Sequence, residues 1–195
     1  ARTYGVHLHT HLIKQAYRGA MLISLAGVVV PFVLGAALYG IVARSLEAVA
    51  FFGAGDATVL GADRPILTQG AFVSDDFFRV LGVAPLHGRT FAGGERPAAG
   101  ARQTVISHRF WQTVLGGDPT WATRALRVED GTVQIVGIMP PGFGYPAGTD
   151  LWGLHEDDNP YRTAHNWSVV GRLAPGATAA QAASELDAHF GRLKA

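Results

Sequence analysis

A long uncharged run near the start of the chain constrains its fold more than any other feature. Residues 20–43 read AMLISLAGVVVPFVLGAALYGIVA, and Arg18 and Arg44 stand just outside them. As a helix, a run of this length exceeds the ~30 Å hydrocarbon core of a bilayer. Pro31 and the glycines reduce the favourable insertion energy, but no charge opposes insertion. The run therefore predicts a transmembrane helix over residues 20–43, with a buried core helix as the alternative.

The charges beside this run predict its orientation. Lys14 and Arg18 precede it, whereas Arg44 alone follows it. By the positive-inside tendency, residues 1–19 are expected to lie in the cytoplasm or at the membrane interface, and the remainder outside the cell. Gly27, Pro31 and Gly35 share one helix face, so the predicted helix is expected to pack against other helices.

The charge balance differs between the two parts of the chain. Four basic residues and no acidic residue precede Leu46; subtracting these four from the 16 basic residues leaves 12, against 15 acidic ones. The downstream basic residues are dispersed, so they form no continuous positive strip for nucleic acid. Because the chain contains no cysteine, disulfides, thiolate zinc sites and a cysteine nucleophile are excluded.

The chain after Leu46 alternates short apolar runs with glycine and proline, which predicts an α+β domain. Ser74 and Ser107 are predicted to cap two short helices, and the capping box Thr178-x-x-Gln181 begins a last helix. The predicted strands are Ile66–Val73, Thr104–Ile106, Leu126–Val128, Thr132–Ile138 and Trp167–Leu173. The predicted apolar stripe of the last helix is Ala179, Ala183, Leu186, Phe190 and Leu193.

Two connections between these elements carry turn signals. Asp130-Gly131 between apolar runs predicts a β-hairpin. The sequence MPPGFGYP, residues 139–146, predicts a rigid loop because proline and glycine disfavour helices and central strands. Phe143 and Tyr145 of this loop are expected to cover the edge of the core.

Two histidine-containing segments are candidates for chemistry. His7, His9 and His11 form an H-x-H-x-H run, but no neighbouring acid completes a metal site. The segment HEDDNPYRTAH, His155 to His165, gathers two imidazoles and three carboxylates, which suit a divalent ion or acid–base catalysis. A solvated surface loop explains the same residues, and no P-loop is present. We therefore expect no catalytic, cofactor-binding or metal-binding residue.

The first part of the chain resembles a known membrane family. GVHLHTHLIKQAYRGAMLISLAGVVVPFVLGAAL, Gly5 to Leu38, resembles a helix pair of bacterial monovalent cation:proton antiporters. The ion-coordinating carboxylates of that family lie on later helices, and no acid occurs before Glu47. The resemblance therefore implies no transport residue in this chain.

A second resemblance covers Arg44 to about Leu193. RSLEAVAFFGAGDATVLG, GAFVSDDFFRVLGVAPLHGRTF, TVISHRFWQTVLGGDP, ALRVEDGTVQIVGIMPPGFGYP, DLWGL and HNWSVVGRLAPGATAAQAASELDAH follow in order. Together they resemble the periplasmic core domain of MacB-like ABC transporter permeases. The resemblance implies a two-lobed mixed α/β domain, truncated at its N-terminal side and preceded by one transmembrane helix. The expected division is residues 1–19, 20–43 and 44–195.

The second resemblance also implies a function. Such domains are not enzymes; they contact substrates or partner proteins and transmit conformational change across the membrane. The expected location is the bacterial inner membrane, with the N-terminus cytoplasmic and the domain periplasmic or extracellular. The expected partners are membrane lipids, a cytoplasmic ABC ATPase, other permease helices and a periplasmic adaptor. A fragment of a cation:proton antiporter is the alternative function, and a metal-dependent enzyme is the third.

Overall fold

The chain is described by a computed structural model, which covers residues 22–26, 44–60, 64–92, 102–129, 131–155 and 167–193. It divides into two compact units. Of the described residues, 22–26, 44–51, 80–82 and 167–193 belong to the terminal unit, and 52–60, 64–79, 83–92, 102–129 and 131–155 belong to the central unit. Both units combine strands with helical residues, in agreement with the predicted mixed fold of two lobes.

The described elements follow the chain in a mixed order. They are β1 (Leu22–Ala26), β2 (Leu46–Leu60), β3 (Pro65–Val73), α1 (Phe77–Leu81), β4 (His87–Gly88), β5 (Gln103–Ile106), α2 (His108–Thr113), a 3₁₀ turn (Trp121–Thr123), β6 (Ala125–Val128), β7 (Gly131–Ile138), β8 (Thr149–Leu154), β9 (Ser168–Leu173) and α3 (Ala179–Leu193).

The strand β1 corrects the prediction of a helix over residues 20–43. Leu22–Ala26 pairs antiparallel with β9, with Leu22 opposite Arg172 and Ala26 opposite Ser168. The helix prediction is wrong for these five residues, because a short apolar run satisfies a buried strand as well as a helix. The rest of the predicted span lies outside the described residues. Among the helices that are described, none has the length and apolar character of a membrane span.

The central unit is built on a mixed sheet. Its strands follow the order β2-β3-β8-β5-β7-β4, in which β3–β8 and β5–β7 are parallel pairs and the others are antiparallel. β6 pairs with β7 and also meets β2 through Val59 and Val128. The pairs of β2, β3, β8, β5, β7 and β6 therefore form a closed hydrogen-bonded circuit.

One face of this sheet carries a cluster dominated by aliphatic side chains, which we call the aliphatic cluster. It is covered by α2, whose Phe110 is buried, and by partly buried side chains that include Trp111. Its buried members are Val59, Ile106, Phe110, Leu126, Val133, Ile135, Ile138 and Leu151. Since these residues come from five strands and one helix, the cluster joins elements that are distant in sequence.

A second cluster consists of aromatic rings, and we call it the aromatic cluster. Trp152 is fully buried, and its ring centroid lies 5.3 Å from that of Phe143 and 5.9 Å from that of Phe78. Consecutive ring contacts join the members Phe52, Phe77, Phe78, Phe91, Phe143, Tyr145 and Trp152. The aromatic rings of α1 and of residues 139–148 therefore cover the part of the core that the strands do not cover.

The two clusters occupy opposite faces of the hairpin formed by β2 and β3. Phe52 pairs with Val73, and Val59 pairs with Ile66, without a register shift between them. Because strand side chains alternate, Phe52 and Val59 point to opposite faces. Phe52 contacts the aromatic cluster, Val59 lies in the aliphatic cluster, and residues 54–56 between them are exposed. The covered face therefore changes along the hairpin.

Several predicted elements are confirmed. Ser107 caps α2, because its Oγ accepts the N–H of Phe110 at 2.9 Å. The predicted capping box is present at the start of α3, where Thr178 N–H donates to Gln181 Oε1 at 2.8 Å. The loop over residues 139–146 forms neither helix nor strand. The predicted hairpin is found as β6 and β7.

The apolar stripe of α3 differs from the prediction by one position. Ala182 and Leu186 are buried, whereas Ala179 and Ala183 are only partly buried. Phe190 and Leu193 have side chains outside the described part of the chain. The row of alanines in this helix does not by itself show which residues face the sheet, because alanine suits both the buried and the exposed side of a helix.

Candidate functional site

The described residues include one buried carboxylate, that of Asp150 on β8, which is 7% exposed. Its Oδ1 accepts a hydrogen bond from Ser107 Oγ at 2.5 Å, and its Oδ2 accepts one from Thr68 Oγ1 at 2.6 Å. Arg109 donates to both carboxylate oxygens, through Nε at 3.1 Å and Nη2 at 2.8 Å. We call these four residues the Asp150 network.

Three neighbouring elements position the network. Thr68 lies on β3, Ser107 caps α2, and Arg109 lies in the first turn of α2. The backbone carbonyl of Asp150 also accepts the N–H of Ser107 at 2.8 Å. The network therefore fixes β8 to β3 on one side and to the start of α2 on the other.

The electrostatics of the network favour the charged carboxylate. Burial raises the pKa of Asp150, but the hydrogen bonds donated to it and the charge of Arg109 lower it by more. The pKa of this carboxyl therefore lies below its ordinary value of 3.8. The same hydrogen bond and charge raise the pKa of the Arg109 guanidinium. Both groups are ionised at neutral pH.

The geometry of the network fits a structural role better than catalysis. The hydroxyl of Ser107 is buried and donates to the Asp150 carboxylate. That carboxylate has a lowered pKa and also accepts hydrogen bonds from Arg109 and Thr68, so it is a weak base and activates the hydroxyl poorly as a nucleophile. In the part of the chain that is described, every buried side-chain nitrogen or oxygen has a hydrogen-bond partner. A ligand would therefore have to displace existing bonds of the network.

The histidine candidates do not assemble into a described site. His7, His9 and His11 lie outside the described residues, as do all residues of the segment His155 to His165 except the first. The backbone N–H of His155 donates to the carbonyl of Val73 at 2.9 Å, which extends the pairing of β8 with β3. Among the described side chains, no group of three or more suits a metal ion.

Large apolar side chains at the surface are a second kind of candidate site, one for contact with another molecule. Leu67 is 71% exposed and Phe72 is 47% exposed, and both lie on β3. Leu86 and Leu60 are also exposed. Phe72 lies against Gly153 of the neighbouring strand, where a Cβ would come within 3.3 Å of the ring. The glycine therefore lets the ring lie close to the sheet backbone.

Comparison with known sequences establishes the family. The sequence model described as the MacB-like periplasmic core domain matches residues 18–189. This match covers more than half of the chain, so the protein belongs to the family of MacB-like periplasmic core domains of ABC-type transporter permeases. No match to a curated protein was found.

Solved structures agree with this assignment at the level of the fold. The periplasmic region of MacB from Actinobacillus actinomycetemcomitans is similar with a TM-score of 0.60 and 9% identity, covering 77% of this chain and 69% of that one. A domain from Porphyromonas gingivalis, assigned to a permease, has a TM-score of 0.59 and 15% identity, covering 89% of this chain and 82% of that one. The extracellular domain of the ABC-type transporter YknZ from Gram-positive bacteria has a TM-score of 0.56 and 15% identity, covering 80% of this chain and 81% of that one.

The comparisons do not support the antiporter resemblance. The family match begins at residue 18 and so includes most of the segment from Gly5 to Leu38 that resembles an antiporter helix pair. Residues 22–26 of that segment form β1, which is paired with β9.

No local sequence pattern points to the Asp150 network. Asp150 and Ser107 are 43 positions apart, and only the pairing of β8 with β5 brings them together. The local signal was the predicted N-cap at Ser107, followed after one residue by the cation Arg109. That pattern predicts a helix start but does not identify the carboxylate opposite it.

Proposed function

We propose that this protein is a non-catalytic extracytoplasmic domain of an ABC transporter permease, which contacts a substrate or partner protein and transmits conformational change across the membrane. The observation that carries the proposal is the family match over residues 18–189. Its partners would be a cytoplasmic ABC ATPase, further permease helices and a periplasmic adaptor, in a bacterial inner membrane. The boundaries at residues 19/20 and 43/44 stay predictions.

The described residues are consistent with such a role. The ionised pair of Asp150 and Arg109 holds strands and a helix together through several hydrogen bonds, as a module that transmits movement requires. The exposed Leu67 and Phe72 point to opposite faces of β3, so they offer two separate apolar contacts for a partner and not one patch. No described residue favours the metal-dependent enzyme, and the antiporter alternative has no supporting observation.

Reporter fusions test the proposed location. Alkaline phosphatase or green fluorescent protein would be joined after Ala195 of the full chain and expressed in a Gram-negative bacterium. We expect phosphatase activity without fluorescence, because the phosphatase folds to its active form outside the cytoplasm and the fluorescent protein folds inside it. The two reporters expressed without this chain serve as the control and are expected to give the reverse result. Fluorescence from the full-length fusion would contradict the proposed location.

A further inference from the structure

Ser45 connects two distant parts of the terminal unit. It is buried at 5% exposure although it is polar and stands just before β2. Its backbone N–H donates to Glu185 Oε2 at 3.2 Å, and its Oγ donates to Glu185 Oε1 at 2.9 Å. Glu185 lies on α3 and is separated from Ser45 by 140 positions. Both oxygens of the carboxylate therefore hold the point where the chain enters β2.

The other side of Ser45 is also fixed. Its carbonyl accepts the N–H of Ala174, directly after β9, at 2.9 Å. The following residue, Leu46, packs against the cluster of Leu173 and Ala182. Ser45 therefore cannot move away from the unit without breaking hydrogen bonds to both α3 and the end of β9.

Apolar packing also attaches α3. Leu173 and Ala182 are buried, with Leu46 packed against them, and Leu186 of the helix is buried as well. Hydrogen bonds to a charged group are roughly twice as strong as neutral ones. The two bonds to Glu185 therefore reinforce the attachment between α3 and the start of β2.

We infer that Ser45 and Glu185 form a strap that couples the chain entering β2 to helix α3. Displacement of the residues before Ser45 then moves α3 instead of only loosening the first residues of β2. The inference rests on the proposed function, because it names the contact through which movement of the chain entering the terminal unit reaches α3.

Hydrogen exchange of the full chain tests the strap. In Glu185→Gln the amide keeps one acceptor oxygen, but its NH₂ group cannot accept from Ser45. We expect the amides of residues 45–48 and those of α3 after Gln181 to exchange about tenfold faster together, because each segment then opens without the other holding it. Amides of β5 and β8 serve as an internal reference and are expected to be unchanged.

Asp187→Asn is the matched control, since it removes the same charge from an exposed position of the same helix. We expect its exchange to equal that of the unchanged chain. Faster exchange at residues 45–48 with unchanged exchange in α3 would show a local cap and would overturn the strap. Unchanged exchange in both segments would overturn it as well.

A mechanical measurement keeps the inference testable if Glu185→Gln loosens the whole unit. The chain has no cysteine, so Arg44→Cys and Ala188→Cys provide the two attachment points for optical tweezers. Tension between these positions loads the strap first. We expect Glu185→Gln to lower the first rupture force to about half, because neutral hydrogen bonds are roughly half as strong as the charge-assisted bonds that they replace. Equal rupture forces would overturn the strap, while the reporter fusions test the location separately.

Discussion

The aromatic and aliphatic clusters of the central unit share β2 and β8 but are assembled differently. The aliphatic cluster draws its buried residues from strands and from α2. The aromatic cluster depends on rings from the loop over residues 139–148, including Phe143 and Tyr145. Regular elements are held by continuous backbone ladders as well as by packing. The loop has isolated backbone bonds, such as that from Phe143 N–H to the carbonyl of Pro140, and so depends more on its side-chain contacts. The two faces of one sheet should therefore respond differently to loss of volume.

The largest expected effect is that of Trp152→Ala. It removes a fully buried ring and leaves the carbonyl of Tyr145 without its 2.9 Å hydrogen bond from the indole Nε1. We expect the free energy of unfolding, measured by urea titration, to fall by about 3–5 kcal/mol. Ile135→Ala in the aliphatic cluster is expected to lower it by about 3 kcal/mol.

The location of the damage sharpens this comparison. In Trp152→Ala, limited proteolysis is expected to cut within residues 139–148 before global unfolding, because the loop loses its main packing partner. Ile135→Ala, whose strand keeps its ladder partners, is expected to show no such early cleavage. Equal early cleavage in the two variants would remove the proposed difference between the clusters.

Asp150→Asn has the next largest expected effect. It removes the charge that holds β8 to β3 and α2, and it leaves the side chains of both clusters unchanged. Because charge-assisted hydrogen bonds to a buried group are lost, the free energy of unfolding is expected to fall by about 2 kcal/mol at neutral pH. Asp56→Asn, at an exposed carboxylate of β2, is the control and is expected to change stability little.

The same variant has a predicted pH dependence. Because the folded-state pKa of Asp150 is lowered, its contribution is complete above the unfolded-state value near 3.8 and is lost as the pH falls through the lower folded-state value. The stability difference between the unchanged chain and Asp150→Asn is therefore expected to be constant from pH 7 to about 5 and to shrink below 3.8. A difference that grows on acidification would contradict the assignment.

The smallest expected effects compare two neighbours on β3. Ile66 packs against the aliphatic cluster, whereas Leu67 points to the opposite face and is 71% exposed. Ile66→Thr is expected to cost about 1–2 kcal/mol because it buries a hydroxyl and removes apolar contact. Leu67→Thr should stay within about 0.5 kcal/mol. Similar thermal midpoints for both variants would show that the aliphatic cluster does not cover one face of β3 at this end of the hairpin.

The parts of the fold that the sequence predicts well carry local signals. Ser107 precedes a helix with apolar spacing, the Thr178 box caps α3, and Asp130-Gly131 separates two runs of strand-forming residues. Each of these signals acts within a few residues, through a cap or a turn, and so it can be recognised without knowing the tertiary partners.

The parts that the sequence predicts poorly depend on distant partners. β8 is buried on both faces, so TDLWGL shows no alternation between apolar and polar residues. The apolar residues of β1 suit a helix or a strand equally, and pairing with β9 decides between them. Asp150 meets Ser107 and Thr68 only through the sheet order, which no local pattern specifies.

Because the covered face changes along the hairpin of β2 and β3, insertions in this hairpin are constrained. Side chains in a strand repeat every two residues, so one residue inserted between Phe52 and Val59 would turn every later side chain to the other face. Thr58 would then occupy the buried place of Val59, unless the glycine-containing stretch absorbed the extra residue as a β-bulge, in which two residues of β2 face one residue of β3. Substitutions at the exposed residues 54–56 are therefore expected to be tolerated, whereas a single insertion there needs either such a bulge or a matching insertion in β3.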